Sequence, residues 1–297
     1  MVAASDVGGA RGGISSIARM LDRVPASFRI GAAILIVHVT VAALGPFIAP
    51  YGASQMGIGI PLSGMSWQNP FGIDQLGRDI FSRVIHGSHV VLLLSICGTA
   101  LGVLVGAVIG LLSGYAGGWI DTVVQRLLES IISIPFLVLA LLAIAAAGPE
   151  LAGSPFLVVL VVGLVYAPRV ARMARAAAIE IATRDFVTVA RLRGERAWSV
   201  MRREILPNAS GVLLVEFALR AGYAPVLIGS LGFLGFGMRP PTPEWGLMIA
   251  ENRALIIVSP VTVLGPGLAL ASLVVGLNLF TDGLARIFGR SFVRVDR

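Results

Sequence analysis

The chain has 297 residues, of which 56% are hydrophobic and 13% charged, with a mean hydropathy of +0.89. This composition excludes a soluble domain with a large core and indicates a polytopic membrane protein. The formal net charge of +7 comes from arginine without any lysine, and the arginines flank apolar stretches, which argues against a nucleic-acid partner. The single cysteine, Cys97, excludes an intrachain disulfide or thiolate cluster.

The chain begins with a polar stretch, 1–29, which contains four arginines and is interpreted as a cytoplasmic tail. The apolar run 30–48 is long enough to cross a bilayer once. A basic flank before an apolar core also describes a signal peptide, but the run is long for one and no small-residue cleavage site closes it. We therefore predict an uncleaved first span, which opens a transmembrane domain covering 30–288.

The stretch 49–88 is polar and rich in glycine and proline, so we predict an extracytoplasmic segment. Asp74, Arg78, Asp79 and Arg83 occur there at helical spacing and are able to form ion pairs along one helix face. We interpret them as part of a solvated amphipathic helix lying over the spans, in preference to a catalytic carboxylate pair.

Three further crossings are predicted before the middle of the chain, at 89–112, 122–147 and 155–170, and Pro135 breaks the second of these. The crossing at 89–112 carries glycine at every fourth position, a small-residue stripe that permits close approach of another helix. These glycines are Gly98, Gly102, Gly106 and Gly110.

The last two crossings are predicted at 209–236 and 259–280, separated by an extracytoplasmic loop, 237–258, which contains the stretch RPPTPEWG, whose prolines forbid regular helix there. Glu216 and Arg220 lie four residues apart inside the first of them, hence on one helix face. Ionisable residues within a span indicate function. Two interpretations stay open for this pair: an ion pair that locks helix packing, or part of the translocation path in contact with a zwitterionic or acidic substrate.

The distribution of arginine supports an all-α protein with six transmembrane helices and both termini cytoplasmic. Seventeen arginines fall in, or within three residues of, the central segment and the two tails, including a C-terminal tail at 289–297, whereas four fall in the opposite loops. Arginine-rich loops stay on the cytoplasmic side.

The central segment, 171–208, is too long for a turn and is densely basic. Its pattern predicts a helix at 186–193, an interruption at Gly194, and a second helix at 196–205 that ends before Pro207. An exposed, basic, amphipathic element of this kind suits docking into a groove of a soluble partner. A solvated charged loop is the alternative on spacing alone.

The sequence ARLRGERAWSVMRREILPN in this segment resembles the coupling loop of ABC-transporter importer permeases. Ala190, Gly194, Leu206 and Pro207 match the family pattern, while a Thr-Val pair replaces its Glu-Ala and Glu204 takes its isoleucine position. The resemblance implies contact with an ATPase through one set of residues: Ala190, Arg191, Gly194, Glu195, Leu206 and Pro207.

Four other stretches, in collinear order, resemble the dipeptide/oligopeptide/nickel permeases of the C-subunit type, and the similarity runs from about 30 to about 290. They are NPFGIDQLGRDIFSRVIHG, GYAGGWID, LGFLGFGMRPPTPEWGLMIAENR and NLFTDGLAR.

The resemblance implies a type I ABC importer permease fold in a bacterial inner membrane, without enzymatic activity or a cofactor of its own. It also implies a heterodimer with a second permease, surrounded by membrane lipid. Two ATPase subunits or one fused ATPase would bind ATP and Mg, which agrees with the lack of a GxxxxGK[ST] loop here. A binding protein would deliver a peptide or, alternatively, haem or a nickel chelate.

A proton-coupled secondary transporter that uses Glu216 as its relay is the alternative from a different class. The absence of a detectable inverted repeat argues against it. A membrane-embedded hydrolase is excluded because the sequence offers no plausible set of nucleophile and base.

Overall fold

The computed structural model describes residues 25–292 and the side chains of residues 25–286, so the predicted tails lie largely outside the described residues. The described part is helical, with one isolated bridge between Ile73 and Asp79. The helices in chain order are α1 (Ala26–Ile48), α2 (Ile80–Ala116), α3 (Gly118–Ile132), α4 (Phe136–Ala147), α5 (Pro155–Ala182), α6 (Asp185–Leu192), α7 (Ala197–Val200), α8 (Leu206–Phe233), α9 (Trp245–Asn252) and α10 (Val261–Phe292).

Within these residues five helical stretches are long and apolar enough to cross a membrane: α1, α2, α5, the continuous run from α7 through α8, and α10. The crossing predicted at 122–147 is not one straight helix. It consists of α3 and α4, which meet at 96° with Pro135 at the start of α4. Counting this bent pair as one span gives the predicted total of six.

Two helix ends differ from the predicted boundaries. Helix α5 does not end near 170 but continues to Ala182, so the first third of the segment 171–208 extends a span. The second predicted helix does not stop at Pro207, since a π-helical turn at Met201–Ile205 leads directly into α8. Proline is tolerated in the first turn of a helix, and the wider π turn accommodates its ring.

The glycine stripe of α2 packs against α5, as the four-residue spacing predicted. A Cβ atom at Gly106 would lie 2.6 Å from the carbonyl oxygen of Ala167, and one at Gly98 would lie 2.7 Å from Cβ of Val162. Such distances are far below van der Waals contact, so only glycine permits this approach of the two backbones. The stripe therefore sets the spacing of the central helix pair.

Three clusters of buried apolar residues hold the bundle together. One joins α2, α4, α5 and α8, and a second joins the ends of α2 and α5 to α6, α7 and the start of α8. The third joins α1, α2, α9 and α10 around the fully buried Trp245. The indole nitrogen of Trp245 donates to the carbonyl of Val84 at 3.0 Å, which fixes α9 across the first turns of α2.

The amphipathic helix predicted around Asp74 is wrong, because the chain from 70 to 79 forms turns and α2 begins only at Ile80. The Asp74 carboxylate accepts hydrogen bonds from the backbone N–H groups of Leu76 and Arg78, at 2.8 and 2.9 Å. Asp79 caps α2 by accepting from the backbone N–H of Ser82 at 2.7 Å. Short aspartates that bond the backbone in this way favour turns and helix starts over helix interiors.

The charged side chains of this segment are also not solvated. Arg78 and Arg83 are 2% and 1% exposed, and both lie between two carboxylates, those of Asp74 and Glu251. Arg78 Nε is 2.5 Å from Asp74 Oδ2, and Arg78 Nη2 is 2.9 Å from Glu251 Oε2. We call these four residues the loop-end cluster. It ties the 49–79 loop and the start of α2 to the end of α9.

Candidate functional site

The segment that contains the predicted coupling residues is organised around α6. Its buried face is formed by Val187 and Ala190, which pack into an apolar cluster with Ala174 and Ala178 of α5 and with Ile205. This burial holds a helix of only eight residues, which is too short to be stable alone. Ala190 is thus a packing residue of the segment, with 4% of its surface exposed.

Gly194 ends α6 in a Schellman motif, as its position in the sequence suggested. Its φ is +76°, its N–H donates to the carbonyl of Arg191 at 2.9 Å, and the N–H of Glu195 donates to the carbonyl of Ala190 at 3.2 Å. This left-handed conformation favours glycine because a Cβ would meet the backbone of its own residue. No other atom lies within 4 Å of a Cβ built at Gly194, so the site is open to the surface.

The outer face of α6 combines exposed apolar side chains with arginines. Phe186, Val189 and Leu192 are exposed on it, Leu192 to 83%. The arginines around them are also exposed: Arg184, Arg191, Arg193 and Arg196. We call this face the α6 surface. A small apolar stripe within a basic rim is typical of a helix that enters a groove on a partner.

Two polar contacts hold this segment in place. The guanidinium of Arg191 lies over the ring of Tyr115, 4.8 Å from its centroid, a cation–π contact with the last turn of α2. The hydroxyl of Ser199 donates to Glu195 Oε2 at 2.8 Å, joining the two sides of Gly194. Arg191 and Glu195 therefore bond within the chain and stabilise the segment.

Leu206 and Pro207 lie apart from the other four predicted residues, which belong to α6 or directly follow it. Leu206 lines an apolar cavity of about 520 Å³ between α2 and α8, together with Trp198 and Met201. Pro207 lies in the first turn of α8. The structure thus divides the predicted set between a surface helix and the start of a long helix that leads away from it.

One ionic contact near this segment was not predicted from the sequence. Arg175 of α5 donates from Nε and Nη2 to the two carboxylate oxygens of Asp121 in the first turn of α3, each at 2.6 Å. A bidentate pair of this kind is among the stronger polar contacts in proteins. The partners are separated by 54 positions in the sequence, so no local spacing predicted their contact.

The predicted pair inside the fifth crossing forms as its four-residue spacing required. Arg220 donates from Nε and Nη2 to Glu216 Oε2 at 3.1 and 2.8 Å, and the two side chains are 20% and 6% exposed. Arg220 lies fourteen residues beyond Leu206, which corresponds to about 21 Å along α8. The pair and the α6 surface are therefore two separate sites joined by one continuous helix.

No group of three or more histidine, cysteine, aspartate or glutamate side chains that could hold a metal ion occurs among the described residues. The described part of the chain combines a helical bundle with five or six candidate membrane crossings, a basic amphipathic helix with an exposed apolar face, and an ion pair within a crossing. Together they define a class, the polytopic helical membrane proteins.

Sequence comparisons give the family. Residues 106–294 match the family described as "Binding-protein-dependent transport system inner membrane component". The chain is 36% identical over 251 residues to the glutathione transport system permease protein GsiD of Escherichia coli O6:K15:H31 (strain 536 / UPEC), covering 84% of this chain and 82% of that protein. It is 30% identical over 255 residues to the dipeptide transport system permease protein DppC of Alkalihalophilus pseudofirmus, covering 86% and 83%.

The chain therefore belongs to the family of binding-protein-dependent inner membrane transport components and is an ABC importer permease of the C-subunit type. The resemblance inferred from its motifs is confirmed. A member of this family is a multi-pass inner membrane subunit without catalytic activity or a cofactor. Such a system also includes an ATPase, a binding protein and permease partners.

Proposed function

We propose that this chain forms one half of the translocation pathway of an ATP-driven peptide importer and that its α6 surface docks onto a cytoplasmic ATPase. The observation that carries this proposal is the α6 surface itself, three exposed apolar side chains within a ring of arginines on a helix fixed to the bundle core. Ala190, Arg191, Gly194 and Glu195 shape this surface. Leu206 and Pro207 pass its movement into α8, because they begin the helix that continues from the segment.

The peptide substrate is supported by the names of the relatives, which describe glutathione and dipeptide transport. Both substrates are small peptides, and the chain matches each relative over more than four fifths of its length. Haem and nickel chelates remain the alternative cargoes for an importer of this type. Glu216 and Arg220 lie near the middle of α8, and their side chains are mostly buried. This position suits either a contact with the substrate in the path or an ion pair that fixes the packing of the helices around it.

The orientation follows from the arginine distribution: the termini and 171–208 lie in the cytoplasm, and the loops at 49–79 and 237–244 lie outside. The outer loops would meet the binding protein and the second permease. Two ATPase subunits or one fused ATPase would complete the assembly.

The test is ATP hydrolysis by the chain co-expressed with the products of its neighbouring genes and reconstituted in nanodiscs. We expect the loaded binding protein to stimulate hydrolysis by the wild type, and Gly194→Trp to remove that stimulation while the complex still assembles. Gly235→Trp is the matched control, because Gly235 ends α8 in the same Schellman motif, with a positive φ, +84°, and no atom within 4 Å of a built Cβ. Both substitutions carry the same left-handed strain of about 1–2 kcal/mol.

Equal loss of stimulation in both variants would mean that strain, rather than docking, is responsible, and would contradict the role of the α6 surface. A chain that recruits no ATPase but takes up substrate along a proton gradient would contradict the importer proposal. In that case a secondary transporter with Glu216 as its relay would be the better description.

A further inference from the structure

Helix α3 has an exposed polar face, although it forms half of a membrane crossing. Thr122, Arg126, Glu129 and Ser133 follow one another at intervals of four, three and four residues, so they lie on one face of the helix. The side chains of Arg126 and Glu129 are 81% and 63% exposed, and Arg126 Nη1 is 3.7 Å from Glu129 Oε2, too far for a hydrogen bond. These two charges are therefore only loosely paired.

The rest of α3 has two further faces. Asp121 and Leu128, seven residues apart, are buried, and Asp121 pairs with Arg175 of α5. Trp119, Val123 and Leu127 recur every four residues and are exposed, to 76%, 48% and 62%. The exposed half of α3 is thus divided lengthwise into a polar face and an apolar face.

The polar face lies within the depth of the membrane. Helices α4 and α5 share a buried cluster and are joined by the short turn at 148–154, so they run antiparallel from the same end of the bundle. Counted from that end at 1.5 Å per residue, α4 covers about 18 Å and Arg175 lies about 30 Å along α5. Helix α3 runs from Asp121, beside Arg175, to the start of α4, so Arg126 and Glu129 lie between these two depths. The hydrocarbon core of a bilayer is about 30 Å thick.

A third exposed charge lies at the same depth on the neighbouring helix. Arg172 of α5 is exposed, and it lies 17 residues after the start of that helix, one turn before the arginine that holds α3. Charged side chains within a span almost always face the bundle interior or a water-filled cavity. These three side chains are on the surface of the chain, so the water next to them lies between this chain and its partner.

We propose that the polar face of α3 forms a wall of the water-filled path between this permease and the second one, where Arg126 and Glu129 contact the charged ends of the passing peptide. This inference rests on the proposed function and names the surface of the chain that faces the peptide. A dipeptide carries one ammonium and one carboxylate group, and the pair offers one group of the opposite sign to each. An exposed ion pair contributes little to stability, so its members exchange each other for the ends of the peptide at small cost.

The apolar face of α3 argues against the alternative, in which the whole helix lies in the cytoplasm. There the stripe of Trp119, Val123 and Leu127 would be in water along its entire length. A helix with one polar and one apolar exposed face suits a boundary between water and apolar surroundings. The edge of a water-filled path within the membrane is such a boundary.

The first test is cysteine labelling of the complete importer in proteoliposomes, in a Cys97→Ser background that removes the native thiol. Glu129→Cys and Ser133→Cys place a thiol on the polar face. Leu127→Cys is the matched control, because Leu127 is 62% exposed but lies on the apolar face. The probe is a membrane-impermeant methanethiosulfonate. We expect both polar-face cysteines to react at least about tenfold faster than the control, because only a solvated thiol readily forms the reactive thiolate.

The labelling should also depend on the state of the importer. The polar-face cysteines should react from the cytoplasmic side in the nucleotide-free complex and become protected when the loaded binding protein, ATP and vanadate trap the path closed on that side. Labelling that is the same in both states would place α3 outside the path. Equal labelling of Leu127→Cys and Glu129→Cys, or no labelling of either polar-face cysteine, would also overturn the inference.

The second test is the uptake of dialanine from the loaded binding protein. Arg126→Gln and Glu129→Gln should each lower kcat by about two- to fivefold, the usual effect of losing one exposed charged contact. The KM for the loaded binding protein should stay near wild type, because α3 is distant from the outer loops. Glu150→Gln, which changes an exposed carboxylate in the turn between α4 and α5, should transport as the wild type does. An unchanged kcat in both α3 variants would overturn the contact with the peptide.

The outcomes separate this inference from the proposed function. A wild-type complex that shows no peptide-stimulated ATP hydrolysis contradicts the proposed function. An active wild type whose polar-face cysteines fail the labelling test overturns only the role of α3.

Discussion

The chain buries two groups of charged side chains, and they differ in the number of ionic contacts that each charge makes. The loop-end cluster places two arginines between two carboxylates, so its charges cancel and each arginine contacts both acids. The group in the spans is the single pair of Arg220 with Glu216, in which each charge has one partner. We expect the network with several contacts for each charge to contribute more to stability than the single pair. The predictions below test that distinction.

Neutralising an acid of the loop-end cluster should have the largest effect. Asp74→Asn keeps an oxygen that can accept from the backbone but removes the charge between Arg78 and Arg83. Breaking a buried ionic network in this way costs about 3–5 kcal/mol. We expect a sharply lowered Tm, or no folded protein, in thermal unfolding of the detergent-solubilised complex.

The control for this variant is Asp185→Asn, which changes an exposed aspartate in the first turn of α6. Its Tm should stay close to that of the wild type. An Asp74→Asn protein as stable as this control would show that the loop-end cluster contributes little to the fold.

Glu244 provides a buried acid for comparison, with no arginine paired to it among the described residues. It caps α9 by accepting from the N–H groups of Gly246 and Leu247, at 2.7 and 2.8 Å, and it is fully buried. Burial raises the pKa of Glu244 to about 7, and the two N–H donors offset that effect only in part. Between pH 4.5 and 7 the folded protein therefore binds a proton that the unfolded chain releases.

The stability from this proton is fully present below pH 4.5 and is lost as the pH rises through about 7, a change of about 3 kcal/mol. At pH 4.5 and below, where the wild-type carboxyl is protonated, Glu244→Gln should be less stable than the wild type by about 1 kcal/mol, since one acceptor becomes a donor. It should also have a flatter Tm profile across that range. If the Tm of the wild type and the Tm of Glu244→Gln change in parallel with pH, the proposed protonation of Glu244 is wrong.

Removing one partner of the pair in the spans should have an intermediate effect. Arg220→Ala leaves the buried Glu216 carboxylate without a cation, which we expect to destabilise the protein by about 2 kcal/mol and to impair assembly or uptake. The double variant Glu216→Ala/Arg220→Ala removes both charges and should recover assembly. Unchanged uptake by Arg220→Ala would contradict both the packing and the pathway interpretation of this pair.

The smallest effect is expected at an exposed pair. Arg126 Nη1 lies 3.7 Å from Glu129 Oε2, and both side chains are mostly solvent-exposed on α3. Exposed pairs of this type contribute less than about 1 kcal/mol and are screened by salt. Glu129→Ala should leave Tm unchanged within error. A clear loss would indicate that α3 lies against a partner in the assembled importer.

Local patterns predicted the features that depend on neighbouring residues. The glycine spacing predicted that another helix approaches α2 closely, though not that this helix is α5. The four-residue spacing predicted the Glu216–Arg220 pair, and Gly194 marked the end of α6. Hydropathy placed the crossings, because a long apolar run has few alternatives to a span.

Long-range features could not be predicted in this way. Glu251 reaches Arg78 across 173 residues, so the local spacing around Asp74 suggested a solvated helix where the chain builds a buried cluster. The proline at 135 indicated a break but not the 96° angle, which depends on how α3 and α4 pack against α5. Tyr166 sits in a mostly apolar stretch, and only tertiary packing shows that its hydroxyl is unsatisfied.

The glycine stripe between α2 and α5 also limits how this protein can move. Where two helix backbones are in contact, sliding by less than a full turn would bring the carbonyl groups of one helix into the other. We therefore expect α2 and the half of α5 that contacts it to move together as a rigid unit. A disulfide between α2 and α5 at this contact should not impair transport. Motion that opens a passage must instead occur at helix interfaces formed by flexible side chains. The interface of α2 with α8, which contains the apolar cavity beside Leu206, is one of these.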